Sequence, residues 1–272
     1  MTRNYEIIGT DLLDGLTLIA SRAAAAILAV TDLKRREKPD SSPVTAADEA
    51  SEAVILDGLA ALRPGIPVVS EEAAGRPAPA GLGPRFFLVD PLDGTREFVA
   101  GRDEFTVNIA LIENSAPVAG VLAAPARGLI WRGQVGDGAE RLALAPGAAP
   151  AAARERTAVR GRARPASGLR VLVSRSHLND ATAAYVDRLP QPERIACGSA
   201  LKFCLLAEGA ADIYPRLAPT SEWDVAAGHA LLLAAGGDVC RPDGEPLRYG
   251  RKSDFIIPGF IAFGDRKAAP PL

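Results

Sequence analysis

Cysteine is scarce, with Cys197, Cys204 and Cys240 the only three in 272 residues. An odd number without paired spacing excludes a disulfide framework or a zinc knuckle and leaves reduced core thiols. Long apolar runs are missing too. The richest stretch, Leu12 to Val30, is interrupted by Asp14, Ser21 and Arg22, so no integral membrane segment is expected. Met1-Thr2-Arg3-Asn4-Tyr5-Glu6 lacks a secretory layout, which makes a cytoplasmic enzyme the expectation. Charge of one sign is absent as well: a net charge of -2 argues against a nucleic-acid partner and leaves room for a local basic pocket that takes a small anion. What is present is ordinary for a globular chain of one large or two smaller domains, with 48% hydrophobic and 24% charged residues.

The chain is organised around Phe86-Phe87-Leu88-Val89-Asp90-Pro91-Leu92-Asp93-Gly94-Thr95. An apolar run suited to a buried strand stops at two carboxylates three residues apart. Unpaired, Asp90 and Asp93 would repel each other and resist desolvation, so a cation between them is expected. Oxygen ligands on a turn stiffened by Pro91 and opened by Gly94 suit a hard ion such as Mg2+. Taken alone, the segment would serve equally as an Asp-Gly surface turn.

In chain order, Thr10 to Val30 shows helical apolar spacing, and residues 32–43 form a charged, proline-punctuated connector or a flap over the site. Thr45 is expected to cap a second helix with Asp48 completing the capping box, and that duty alone accounts for Asp48. Ile66 to Val69 reads as a strand running into Ser70-Glu71-Glu72, a second acidic cluster at a strand end. An irregular excursion from Ala73 to Pro84 precedes the organising strand. Arg96 to Val99 makes a single helical turn, and the strands Phe105–Ile112, Pro117–Ala124 and Gly128–Gly133 favour antiparallel neighbours. Residues 1–145 are therefore helices on an antiparallel-rich sheet, and 146–167 are an Ala/Pro/Arg-rich surface insertion with little order. Residues 168–272 alternate strand and helix as an α/β subdomain, ending in a helix from Trp223 to Ala235 with Asp224 in its first turn.

Trp223-Asp224-Val225-Ala226-Ala227-Gly228, Val89 to Thr95 and Ser70-Glu71-Glu72, in this order, resemble the signature set of the inositol monophosphatase superfamily. The resemblance runs from about Thr10 to Ala262. Segments Ser42 to Asp48, Glu104 to Ile112, Ser174 to His177, Gly198 to Cys204 and Tyr214 to Arg216 are most similar to its bacterial bisphosphate nucleotidases.

The resemblance implies a layered α-β-α-β-α sandwich and two or more Mg2+ ions. Glu71, Asp90 and the Leu92 carbonyl would hold one ion, and Asp90, Asp93 and Asp224 a second; two such ions clamp an in-line displacement. Thr95 and Asp48 would orient and deprotonate water, and the amides of Gly94 and Thr95 would meet phosphate. The implied substrate is adenosine 3',5'-bisphosphate, cleaved to AMP and phosphate in support of sulfate assimilation. Its second phosphate calls for cations, and His177, Lys202 and Arg216 are candidates, with Ser199 as hydroxyl donor. As alternatives, Lys202 and Arg216 would be surface charges and His177 a cap. The alternative functions are an inositol or sugar monophosphatase using the same metals, and a catalytically silent nucleotide-binding member. Peripheral attachment at the inner face of the inner membrane is compatible with the superfamily, and oligomeric state is left open.

Overall fold

The computed structural model describes residues 10–31, 36–37, 43–73 and 82–266. Helix α1 (Thr10–Ala29) packs beside α2 (Ala46–Leu62), and both lie on one face of the main sheet. By length and a mean hydropathy of 1.6, Asp11–Ala29 is apolar enough to cross a membrane, contrary to the sequence reading. The apolar side chains are committed elsewhere. Leu12, Leu16, Ile19, Ala23 and Ile27 are buried in the core beneath that face, as the face of a core helix should be.

Strands β1 (Arg36–Glu37) and β2 (Pro43–Val44) form a small antiparallel pair; the rest of the charged connector, on which the flap reading rests, and residues 74–81 of the irregular excursion lie outside the described residues. The main sheet has seven strands in sequence order: β3 (Val68–Ser70), β4 (Arg85–Asp93), β5 (Thr106–Glu113), β6 (Ala116–Ala124), β7 (Leu129–Gln134), β8 (Gly138–Ala143) and β9 (Glu155–Ala158). Only β3 and β4 pair in parallel, which brings the carboxyl ends of both acidic strands to one edge of the sheet. The unbroken apolar run of β4 follows from cover on both faces. Phe87 and Val89 point toward α1 and α2, whereas Phe86 and Leu88 enter a second core.

That second core lies between the main sheet and a five-stranded sheet. The smaller sheet is built from β10 (Arg170–Ser174), β11 (Glu193–Cys197), β12 (Ile213–Arg216), β14 (Asp238–Cys240) and β16 (Phe260–Phe263), ordered β11-β10-β12-β16-β14. A short pair, β13 (Thr220–Ser221) with β15 (Ile256–Ile257), stands apart. Helices α5 (Leu201–Ala207) and α6 (Glu222–Ala235) fill the space between the sheets, and α4 (Asp180–Asp187) covers the outer face through Tyr185 and Val186. The layers thus alternate helix, sheet, helix, sheet, helix, as the resemblance implied. Helix α6 approaches the main sheet closely because Gly120 has no side chain; a Cβ there would lie 2.4 Å from the Ala227 carbonyl oxygen.

The 146–167 segment departs from the expectation of little order. It contains β9, which pairs with β8, and Val159 is buried at its end. An ion pair explains the docking: Arg162 donates from Nε and Nη2 to the carboxylate of Asp212, each at 2.7 Å, while the Arg170 amide donates to the same carboxylate. A bidentate bond to a buried acid fixes a segment that lacks apolar periodicity of its own.

Candidate active site

The acidic ends of β3 and β4, the short helix α3 (Thr95–Val99) and the start of α6 line one cleft of about 270 Å³. Glu71, Asp90 and Asp224 each offer a carboxylate oxygen, all within 4.8 Å of one another. Three segments far apart in sequence supply them. Glu71 follows β3, Asp90 lies within β4, and Asp224 occupies the third position of α6, where it completes a capping box with Ser221. The Thr220 hydroxyl and the Ser221 amide both donate to Asp224 Oδ2 and so aim its carboxylate. Asp93 lines the same cleft but turns Oδ2 to the Ala200 amide.

Burial pushes the pKa of Asp90 well up, and the neighbouring Glu71, Asp93 and Asp224 charges push it further. Asp93 is raised to about 7, first by burial and then by Asp224, against the opposing pull of Lys202. Carboxylates that resist ionisation together in this way have too little counter-charge from Lys202 alone. Asn108, opposite Asp90 on β5, is fully buried with both amide atoms unpartnered, and the Thr106 hydroxyl opposite Asp93 is unpartnered too. An all-oxygen donor set with raised carboxylate pKa values and orphaned polar atoms behind it fits a hydrated hard cation.

Beside this cluster, Thr95 donates its hydroxyl to Asp48 Oδ1 at 3.2 Å and lies 3.3 Å from the Leu92 carbonyl oxygen. Asp48 does what the capping pattern required. Its Oδ2 accepts from the Thr45 amide and hydroxyl, both at 2.8 Å, which leaves Oδ1 facing Thr95. Burial raises the Asp48 pKa, and the hydrogen bonds from Thr45 and Thr95 partly offset it. Gly94, with φ 94°, turns the chain between Asp93 and α3; a Cβ would meet the Glu104 carbonyl oxygen at 3.0 Å and Ser199 at 3.2 Å.

His177, Ser199, Lys202 and Arg216 line the same cleft as the acids. Ser199 has φ 49°, a left-handed conformation that is uncommon outside glycine and that recurs at functional sites. Its carbonyl and that of Cys197 accept from Lys202 Nζ at 2.6 and 3.2 Å, so the lysine is buried and locks the loop before α5. His177 is pushed below its usual pKa by burial and by Arg216 and Arg96. All the residues singled out from the sequence line the cleft except Asp48, which reaches it through Thr95.

Several residues were not singled out. Arg175 grips Glu104 bidentately at 2.8 and 2.7 Å, and Glu104 also accepts from the Gly198 amide at 2.8 Å. Glu97 is buried and accepts from Ser176 Oγ at 2.5 Å. Arg175, Ser176 and Glu104 lie in segments that carried the resemblance without being given roles, and a cross-chain ion pair has no local signal.

Residues 10–264 match the model of the inositol monophosphatase family. The chain belongs to the inositol monophosphatase family. Within that family it is 42% identical over 261 residues to the 3'(2'),5'-bisphosphate nucleotidase CysQ of Salmonella typhimurium, covering 92% of this chain and 98% of that protein. It is 41% identical over 261 residues to CysQ of Escherichia coli K12, with the same coverage. Among solved structures, CysQ from Bacteroides thetaiotaomicron superposes with a TM-score of 0.77 at 35% identity, covering 96% of this chain and 99% of that one. An inositol monophosphatase from Anabaena gives 0.72 at 28%, covering 93% and 90%.

Proposed function

We propose that this chain is a magnesium-dependent phosphomonoesterase that converts adenosine 3',5'-bisphosphate to AMP and phosphate. The observation that carries the reading is one cleft in which the carboxylates of Glu71, Asp90 and Asp224 cluster alongside basic side chains, in a chain 42% identical to a bisphosphate nucleotidase.

Glu71, Asp90 and the Leu92 carbonyl would hold one Mg2+, and Asp90, Asp93 and Asp224 a second. Bound there, the ions supply Lewis acidity toward water and phosphate and neutralise the charge that develops on the leaving oxygen. The rest belongs to the protein. Thr95 Oγ1 receives a proton from the attacking water as it passes its own to Asp48 Oδ1, and the raised pKa of Asp48 makes that transfer easier. Water adds to the 3'-phosphorus, the bond to the ribose 3'-oxygen breaks, and that oxygen takes up a proton from solvent water to become the hydroxyl of AMP. The left-handed Ser199 and the Glu104–Arg175 pair keep the substrate wall in register with the acids.

Phosphate release from adenosine 3',5'-bisphosphate and from inositol 1-phosphate, measured in parallel, tests the assignment. A preference of at least tenfold in kcat/KM for the nucleotide supports it. Preference for the inositol ester keeps the metal centre and removes the nucleotide reading; release from neither leaves a binding protein.

A further inference from the structure

The cations of the cleft differ in what they are already bound to. The Lys202 ammonium is committed to two carbonyls and lies 4.9 Å from the centroid of the Tyr214 ring. Arg216 donates from Nη2 to the Pro219 carbonyl at 3.3 Å. Arg96 lines the same cleft and is exposed, and among the described residues its guanidinium has no hydrogen-bond acceptor and no ion-pair partner.

The position of Arg96 is nonetheless fixed. It lies between Thr95, which is bound to Asp48, and Glu97, which is buried and accepts from Ser176. The Glu97–Ser176 bond ties α3 to the 174–177 loop, so Arg96 and His177 flank the tie on either side. Their proximity is also felt electrostatically, since Arg96 and Arg216 both depress the pKa of His177. A neutral His177 leaves Arg96 and Arg216 as the charged guanidinium groups acting on this part of the cleft. The acids select for the phosphate that is cleaved; a substrate with a second phosphate needs cations free to meet it. A guanidinium presents a planar fork that fits two phosphate oxygens at once.

We propose that Arg96 is a specificity-determining residue that binds the phosphate left uncleaved, together with Arg216 and His177, while Lys202 acts mainly by holding the Cys197–Ser199 loop. The inference rests on the reading of the chain as a bisphosphate nucleotidase.

The test compares wild type, Arg96→Gln and Arg96→Lys on adenosine 3',5'-bisphosphate and adenosine 3'-monophosphate, at low and high salt. Loss of a charge-assisted pair of hydrogen bonds lowers affinity about ten- to hundredfold. Arg96→Gln is therefore expected to cut the bisphosphate-to-monophosphate ratio of kcat/KM by at least tenfold, through KM for the bisphosphate. Arg96→Lys restores part of the ratio, because it keeps the charge and loses the fork. Salt should raise the wild-type KM more steeply than that of Arg96→Gln, because a screened charge is what the variant lacks. A wild-type preference that survives intact in Arg96→Gln, or an equal loss on both substrates, overturns the assignment of Arg96 alone. A wild type without preference overturns the nucleotidase reading and this inference with it.

Discussion

Replacing Asp93 by Asn isolates the electrostatic demand of the carboxylate cluster from its catalysis. In the metal-free protein the Asp93 pKa of about 7 stands above its ordinary 3.8, chiefly through burial and then through Asp224. A folded pKa raised above the unfolded one means that the native state binds the proton more tightly. This group therefore destabilises the metal-free fold increasingly as pH rises from about 4 to about 7, and by its full amount above that. The shift corresponds to about 4 kcal/mol if Asp93 carried it alone; shared among coupled carboxylates, about 2–3 kcal/mol belongs to this residue. Asn retains an acceptor for the Ala200 amide and removes the charge. In chelator at pH 8 the variant should melt about 4–9 °C above wild type, while at pH 4.5 about three-quarters of that difference should be gone. Mg2+ added at pH 8 should stabilise wild type more than the variant, which keeps Glu71, Asp90 and the Leu92 carbonyl but lacks a ligand of the second ion. The assay is differential scanning calorimetry across pH with and without chelator. A variant that melts below wild type at pH 8, or a difference that does not change with pH, refutes the repulsion argument.

Thr95→Val keeps volume and removes the hydroxyl between water and Asp48. Its kcat should fall about 10²- to 10⁴-fold, with a change in stability near 1 kcal/mol, read by steady-state kinetics and denaturant unfolding. Unaltered turnover would detach Thr95 and Asp48 from proton transfer. Lys202→Met unlocks the Cys197–Ser199 loop, so kcat/KM should drop on both the bisphosphate and a simple monophosphate; a loss confined to the bisphosphate would return Lys202 to direct phosphate binding.

The parts of this molecule that were legible in its sequence are those with local causes. Thr45 and Asp48 lie three residues apart and cap their own helix, and Asp90 and Asp93 end the strand that carries them. Asp224 was recognisable through its neighbours Trp223 and Gly228, although its aim depends on Thr220 and Ser221 just before it. The long-range bonds were not legible. Arg162 reaches Asp212 across 50 residues to order a segment whose composition reads as unstructured. Glu104 reaches Arg175 across 71 residues to brace the substrate wall. Lys202 looked like a free cation because sequence shows the charge and not the carbonyls that hold it.

The central claim is that the carboxylates of Glu71, Asp90, Asp93 and Asp224 form a metal-dependent phosphatase centre. The most direct measurement is phosphate release from adenosine 3',5'-bisphosphate by chelator-stripped protein titrated with Mg2+, alongside calorimetric Mg2+ binding to wild type and Asp224→Asn. The account requires no turnover without metal, recovery that follows Mg2+ occupancy, and loss of turnover together with one of the Mg2+ binding events in Asp224→Asn. Turnover that persists in chelator, or an Asp224→Asn variant that binds Mg2+ and turns over like wild type, would contradict it.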